Sequence, residues 1–256
     1  MLKRLVEYEG LEHLGIQVKF TKPEFLDSFL DGNLFMNNFR SFIDLENQTK
    51  IKGQGDKLEA GFVFRGNNAT IYYKDKEVGR ANFAEFVERY DKAEKLPVFC
   101  FARFESKDLA VIEENEEGVQ VKINLNEEDQ NAFLKDFGPT AVVLPGDFYE
   151  RVANTCKDKG IHFAAGQVAY LDYNHHNDQR RKSFDAGSVD MFFWKDDFFK
   201  YQRECRVVLT DTFIDNGMML NIGNMREKAI TLDTSELFTT ATFEIKYKDI
   251  EKLASL

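Results

Sequence analysis

Several things are scarce in this chain of 256 residues. Cysteine is the first: Cys100, Cys156 and Cys205 are the three, with no C-x-x-C spacing among them. An odd, widely spaced set argues against a disulfide framework and for a reducing compartment. It also leaves a structural zinc site without its usual ligands. Of the 4 histidines, His175 and His176 are adjacent; on a strand they would face opposite ways, so they read as part of a solvated loop and not as a metal pair. Long hydrophobic runs are missing too. The N-terminus has no signal-peptide core, and no apolar stretch approaches membrane-spanning length. The expectation is a cytoplasmic protein with no membrane partner. Positive charge is short, with 34 Lys and Arg against 44 Asp and Glu, a net charge of -10. Such a chain is not steered toward nucleic acid by charge alone. Its one dense basic stretch, Gln179-Arg180-Arg181-Lys182, reads as a solvated loop. G-x-G-x-x-G, G-x-x-x-x-G-K-[ST], G-x-S-x-G and H-E-x-x-H are all absent, which withdraws sequence support from the chemistries they carry.

What the chain holds in quantity is phenylalanine, 25 residues of it, enough aromatic surface for a well-filled core. Strand patterns outnumber helical ones. Alternation or buried apolar runs predict strands over 16–20, 33–37, 61–65, 69–73, 97–103, 119–123, 140–144, 166–172 and 201–210, and again near 228–232 and 241–247. Gly66-Asn67-Asn68 supplies a turn that makes a hairpin of 61–65 and 69–73, and Lys74-Asp75-Lys76-Glu77 reads as a second turn before Val78. Thr21 and Pro23 open a helix that Gly32 ends. Asn82 opens another to about Arg89. Asn126 caps a third, with Glu127, Glu128 and Asp129 where the helix dipole favours acids. Asp147 opens a fourth. Residues 173–188 are the most polar long stretch and read as a mobile loop. Residues 189–199 read as a helix or wide turn, with Trp194 and its Phe neighbours in the core. No regular βαβ alternation appears. The expected class is therefore α+β, with mixed, mostly antiparallel sheets and flanking helices.

The chemistry concentrates near the end of this pattern. On a strand over 201–210, Gln202, Glu204 and Arg206 share one face, and Cys205 turns to the other. A carboxylate entering apolar sequence is costly unless paired, and Arg206 is the partner at hand. A salt-bridged strand face explains the pair without function. A carboxylate at the mouth of an aromatic-walled cleft explains it with one. The remaining candidates have plainer readings. Gly53-Gln54-Gly55-Asp56 is a turn, and Cys100 and Cys205 are small buried hydrophobes.

Two stretches resemble the ADP-ribosyltransferase fold. Val18-Lys19-Phe20, then Phe25-Leu26-Asp27-Ser28-Phe29-Leu30 with Gly32 and Leu34-Phe35, looks like its opening strand, helix and strand. Gln202-Arg203-Glu204 is similar to its Q-x-E signature. The intervening order, Asn37-Asn38-Phe39, Val98-Phe99-Cys100-Phe101, Gly166-Gln167-Val168-Ala169-Tyr170 and the Glu204-x-Arg206 strand, is similar to a bacterial family of unknown function related to that fold. The resemblance covers about 16–210 and implies a single domain over 1–256, split around a cleft. It implies NAD as substrate, Glu204 as the catalytic carboxylate and Gln202 as the residue orienting the acceptor. It implies an NAD border formed by Lys19, Phe20, Thr21, Asn37, Asn38, Phe39 and Arg206, with Lys19 and Thr21 where that fold carries Arg or His. The acceptor would be a protein or a nucleic acid. Many such proteins are toxins or phage-defence effectors with an antitoxin-type protein partner. Two other readings stay open from the residues: a non-catalytic acidic protein-binding module, and a metal-dependent hydrolase using Asp56, Glu59 and Glu204.

Overall fold

The computed structural model describes residues 2–175 and 177–248. Along the chain run β1 (Gly15–Thr21), α1 (Pro23–Leu30), β2 (Asn33–Asn38), α2 (Phe39–Thr49), β3 (Phe62–Tyr73), β4 (Lys76–Glu88), β5 (Pro97–Glu105), β6 (Leu109–Asn115), β7 (Gly118–Ile123), α3 (Glu127–Asp136), β8 (Thr140–Val143) and α4 (Phe148–Lys159). Then follow β9 (Phe163–Gln167), β10 (Ala169–Leu171), α5 (Asp178–Asp185), β11 (Trp194–Asp196), β12 (Glu204–Leu209), β13 (Met218–Asn221), β14 (Ile230–Asp233), α6 (Thr234–Thr239) and β15 (Phe243–Lys246). The architecture is mixed α and β with mostly antiparallel sheets; β10 with β11 is a parallel pair. Among the described residues no helix is long and apolar enough to cross a membrane.

The largest sheet is organised by β5, the apolar run expected to be buried. One edge of β5 carries β12, with Val98–Ala102 opposite Val208–Glu204. Its other edge is shared. β2 takes Pro97 and Val98, and β1 takes Ala102 to Glu105. Between them Phe99, Cys100 and Phe101 have no strand beside them on that edge. β1 has left β5 at Val18 to run along β8, and α1 bridges from β1 to β2. The sheet is therefore split, and the split is the structural basis of the cleft. Local chemistry sets its borders. Pro23 occupies the first turn of α1, Phe29 is buried beneath it, and Gly32 at φ 90° turns the chain back into β2. A Cβ on Gly32 would sit 2.1 Å from the Gly223 carbonyl oxygen, so a side chain there is excluded.

Three apolar clusters flank this sheet. The first joins β1, β5 and β8 to β6, β7, α3 and α6. Its centre is the ring group Phe20, Phe104, Phe133 and Phe238, with centroids 5.0 to 6.5 Å apart. The second packs α1 and α4 against β2, β5, β12 and β13. The third gathers Phe39, Phe62, Phe184, Phe192 and Trp194, which confirms Trp194 as core. A buried Phe contributes roughly 1.5–3 kcal/mol by removal from water, so much of the Phe fills the core as expected. Phe25, Phe35, Phe83, Phe86 and Phe198, the last a neighbour of Trp194 expected in the core, are instead exposed.

Several elements depart from the sequence expectations. The expected hairpin turn at Gly66-Asn67-Asn68 lies inside β3. Asn68 does take φ 56°, but the chain reverses at Lys74-Asp75, at φ 50° and 61°, within the second turn expected over 74–77. The helix expected from Asn82 is strand β4, paired along β3. Its Phe83, Phe86 and Val87 have helical spacing, yet cross-strand partners decide its conformation. Residues Phe39–Thr49, to which the sequence pattern assigns no element, form helix α2, capped by Asn38. The expected mobile loop at 173–188 contains helix α5, capped by Asn177. Of the wide turn at 189–199, residues 194–196 form β11, and the strand expected from 201 starts at Glu204.

Candidate functional site

The gap in the sheet opens into a cavity of about 670 Å³. Phe25, Phe29, Phe35 and Phe99 give it aromatic walls, and Glu204, Arg206, Lys195 and Gln202 lie at its floor. A cleft of this volume with a few convergent polar groups has the form of a small-molecule site.

The floor is a buried, cross-linked set of charges. Arg206 Nε donates to Glu204 Oε1 at 2.6 Å. Its Nη1 and Nη2 donate to the two oxygens of Glu59 at 2.8 and 2.6 Å, and Nη1 also donates to the Phe192 carbonyl at 2.6 Å. Lys195 Nζ donates to Glu204 Oε2 at 2.8 Å and to Gln202 Oε1 at 2.9 Å, and lies 3.6 Å from Glu59. It also sits 4.5 Å from the centroid of the Phe199 ring. All five residues are buried. Burial works against the charge of Glu204, but Arg206 and Lys195 outweigh it and hold the carboxyl well below the ordinary carboxylate range. Burial likewise opposes the charge of Lys195, and Glu204 and Glu59 more than restore it, so its pKa is raised. Two carboxylates and two cations leave the floor formally neutral.

A turn before β12 makes this geometry. Arg203 takes the left-handed conformation at φ 48°, uncommon for a residue with a side chain. Its guanidinium is anchored to Asp108 at 3.0 Å and Asp129 at 2.9 Å. Gln202 ends a short 3-10 helix and Glu204 begins the strand. They converge on Lys195 across this turn, not along one strand face as expected. Gln202 Nε2 donates to the Gly53 carbonyl at 2.7 Å, so both ends of its amide are engaged within the chain. Tyr170 accepts the Glu204 backbone N–H through its hydroxyl at 2.7 Å.

All but one of the residues expected to border NAD lie around the cavity. Lys19, Phe20, Thr21, Asn37, Phe39 and Arg206 line the cavity with Gln202 and Glu204. Phe20 also belongs to the aromatic core, and Phe39 stacks on Phe192 with centroids 5.5 Å apart. Asn38 does not line it. Its Oδ1 caps α2 by accepting from Ser41 N at 3.0 Å, and its Nδ2 donates to the carbonyls of Ile214 and Asp215. Lys19 is half-buried. Its Nζ donates to the Cys100 carbonyl at 2.7 Å, in the open edge of β5, and lies 4.6 Å from the Phe99 centroid. It has no ion-pair partner among the described residues, and burial lowers its pKa.

Sequence reasoning missed Lys195. A lone lysine within Phe192-Phe193-Trp194-Lys195-Asp196 gives no sign of its partners, which arrive from residues 59, 202 and 204. The metal reading loses its geometry. Arg206 and Lys195 lie between Glu59 and Glu204, and Asp56 does not join them: its Oδ1 accepts from Leu58 N at 2.9 Å. Among the described residues no group of three or more His, Cys, Asp or Glu is placed to hold a metal ion. Asp56 is notable for another reason. Burial, then the charge of Glu59, pushes its carboxyl up to about 7. His175 pairs with Asp172 at 2.6 Å on the surface, and His176 lies outside the described residues. The basic stretch is no patch, because Arg180 is buried and Arg181 pairs with Glu88 and Asp185. No family model, curated protein or solved structure matches the chain.

Proposed function

We propose that this chain is an ADP-ribosyltransferase-like enzyme that takes NAD into the split-sheet cavity and passes ADP-ribose to a protein or nucleic-acid acceptor. The observation that carries the reading is Glu204, a carboxylate held ionised at the floor of a cavity bordered by the first strand and helix. When the bond from ribose C1′ to nicotinamide breaks, its electron pair leaves with nicotinamide and positive charge develops on the ribose. A fixed carboxylate stabilises that charge, and water exclusion strengthens the effect. The acceptor then attacks C1′ and releases its proton to solvent.

Charge balance supports an anionic substrate. The floor is neutral within itself, so Lys19 is a surplus cation facing the cavity, where it would meet the diphosphate. The walls offer Phe25 and Phe35, both more than half exposed, to planar rings. Gln202 takes a positioning role in this reading. Its amide is spent on Lys195 and Gly53, so it acts on the acceptor only through the Lys195–Glu204 contact. The test is Glu204→Gln. We expect NAD binding by calorimetry to survive within about tenfold and NAD cleavage to fall by about 10²–10³-fold, the usual scale for losing one fixed electrostatic group. Cleavage at the wild-type rate removes the reading.

One observation favours a second reading. Both oxygens of Glu204 already sit in ion pairs, as they would in a purely structural network. A non-catalytic module binding a protein partner, of the antitoxin type or another, would then use the cleft without turnover. NAD binding without cleavage in the wild type selects it.

A further inference from the structure

A second, smaller cavity of about 190 Å³ lies behind β11, lined by Leu171, Asn177, Gln179, Arg180, Ser183, Asp190 and Trp194. Strand β11 has two faces. Lys195 points into the large cavity, whereas Trp194 borders the small one. At the base of the small cavity is Arg180, only 5% exposed. Its guanidinium lies between the rings of Phe62 and Tyr173, 4.7 Å from each centroid. Nη2 donates to the Val63 carbonyl, and the buried Nε has no partner. Nη1 donates to nothing among the described residues. No carboxylate pairs with Arg180 there either.

A buried charge without a counter-charge is among the most unfavourable arrangements a fold can hold. Aromatic faces offset part of that penalty but supply no acceptor for the free N–H groups. Arg206 shows the contrast within the same molecule: it is equally buried and has two carboxylates and a carbonyl. Arg180 also sits in the first turn of α5, whose Asn177 cap takes only the Arg180 backbone N–H, at 2.9 Å. Asp190, at the exposed rim, is engaged by Ser183 Oγ at 2.6 Å and lies beyond ion-pair distance of Arg180.

We propose that this pocket binds a small oxyanion, a carboxylate or a phosphate group, against Arg180. The volume suits a small metabolite and not a dinucleotide. The site stands apart from the split-sheet cavity, with which it shares no lining residue. Its occupant would rest on Trp194, one residue from the lysine that holds Glu204.

Calorimetric titration of the full chain with inorganic phosphate, and separately with acetate, at constant ionic strength tests this. We expect one saturable site for at least one of the two anions, and the stronger of them identifies the head group. Arg180→Met should weaken it by about tenfold or more, as expected for losing a charge-assisted hydrogen bond. Asp190→Asn removes a rim carboxylate on an exposed residue and should tighten it by about two- to threefold. Absence of saturable binding of both anions overturns the proposal, as does wild-type affinity in Arg180→Met. If Arg180→Met does not fold, Asp190→Asn decides: unchanged affinity places the anion elsewhere and overturns it.

Discussion

The cavity floor and the outer half of the β3–β4 ribbon both depart from an ordinary apolar core, and they are held in opposite ways. At the floor, side chains from residues 59, 195, 202, 204 and 206 are locked together by short charge-assisted contacts. In the ribbon, order comes from the pairing of β3 with β4, and neither strand pairs with any other among the described residues. Its base is anchored: Phe62 and Val63 are buried, and Arg65 bonds Glu85 and Asp196 at 2.9 Å each. Beyond that base the aromatics face solvent, Tyr73 and Phe83 at 65% and 56% exposure. The comparison separates two kinds of rigidity. Buried ion networks are stiff but fragile to the loss of one member, because the survivors stay charged in a medium that cannot solvate them. An exposed ribbon is tolerant because little depends on it.

The largest effect should follow from breaking the floor. Arg206→Met leaves two buried carboxylates, Glu59 and Glu204, to share the single cation Lys195, and we expect a loss of about 3–5 kcal/mol in urea unfolding. A second change, Glu59→Gln in the Arg206→Met background, removes the excess negative charge and should recover part of that loss, the non-additivity expected of direct partners. A wild-type midpoint for Arg206→Met would mean that the network is not the determinant the geometry makes it.

Next in size is a pH effect beside the floor. The carboxyl of Asp56 titrates at about 7 in the folded chain, against an ordinary value of 3.8. The folded state therefore binds the proton more tightly than the unfolded one. The stability this confers is complete below about pH 4 and is lost as pH rises toward and through 7. Asp56→Asn keeps an acceptor for Leu58 N and cannot ionise. It should leave stability little changed at pH 4 and raise it by a few kcal/mol at pH 8, because each tenfold change in proton affinity on folding is worth about 1.4 kcal/mol. Glu59, Lys195, Arg206 and Tyr173 surround the site and share the same background in both proteins. Parallel stability curves from pH 4 to 8 for the two proteins would refute the raised affinity.

The same contrast marks what was legible in the sequence. β5, β7 and β8 were readable because burial on one or both faces imposes apolar runs or strict alternation. Asn126 and Asp147 were readable as helix starts because a first turn has local chemistry. The ribbon was legible in part: its reversal at Lys74-Asp75 falls in the turn expected over 74–77, whereas Asn67-Asn68 carries turn chemistry and Asn82 a helix start that cross-strand pairing overrides. Helix α5 was hidden because its buried residues include Arg180, and a buried arginine is indistinguishable from a solvated one in sequence. Glu204 and Arg206 were found as a pair by their separation of two, but Lys195 and the bidentate role of Glu59 arise from tertiary contacts that no spacing encodes. Asn37 and Asn38 are adjacent and alike, and only the fold assigns one to the cavity and the other to a helix cap.

The smallest effect belongs to the ribbon. Residues 68–82 can be replaced by Asn-Gly, joining the opposed Asn67 and Phe83 through a two-residue turn suited to the twist of a hairpin. The excised part includes Tyr72, Tyr73 and Val78, all exposed, and an isolated two-stranded hairpin is marginal in water. Shortening the loop between the anchored ends also reduces closure entropy slightly, in the stabilising direction. The two terms are small and opposed, so the urea midpoint should shift by less than about 1 kcal/mol. Hydrogen exchange sharpens the point in the intact chain: amides of 67–81 should exchange through local opening, while those of β12 require opening of the sheet. A loss of several kcal/mol on excision, or equal protection of the two segments, would show that the outer ribbon is held by more than its own pairing. The division between a cross-linked floor and a self-supporting arm would then fail.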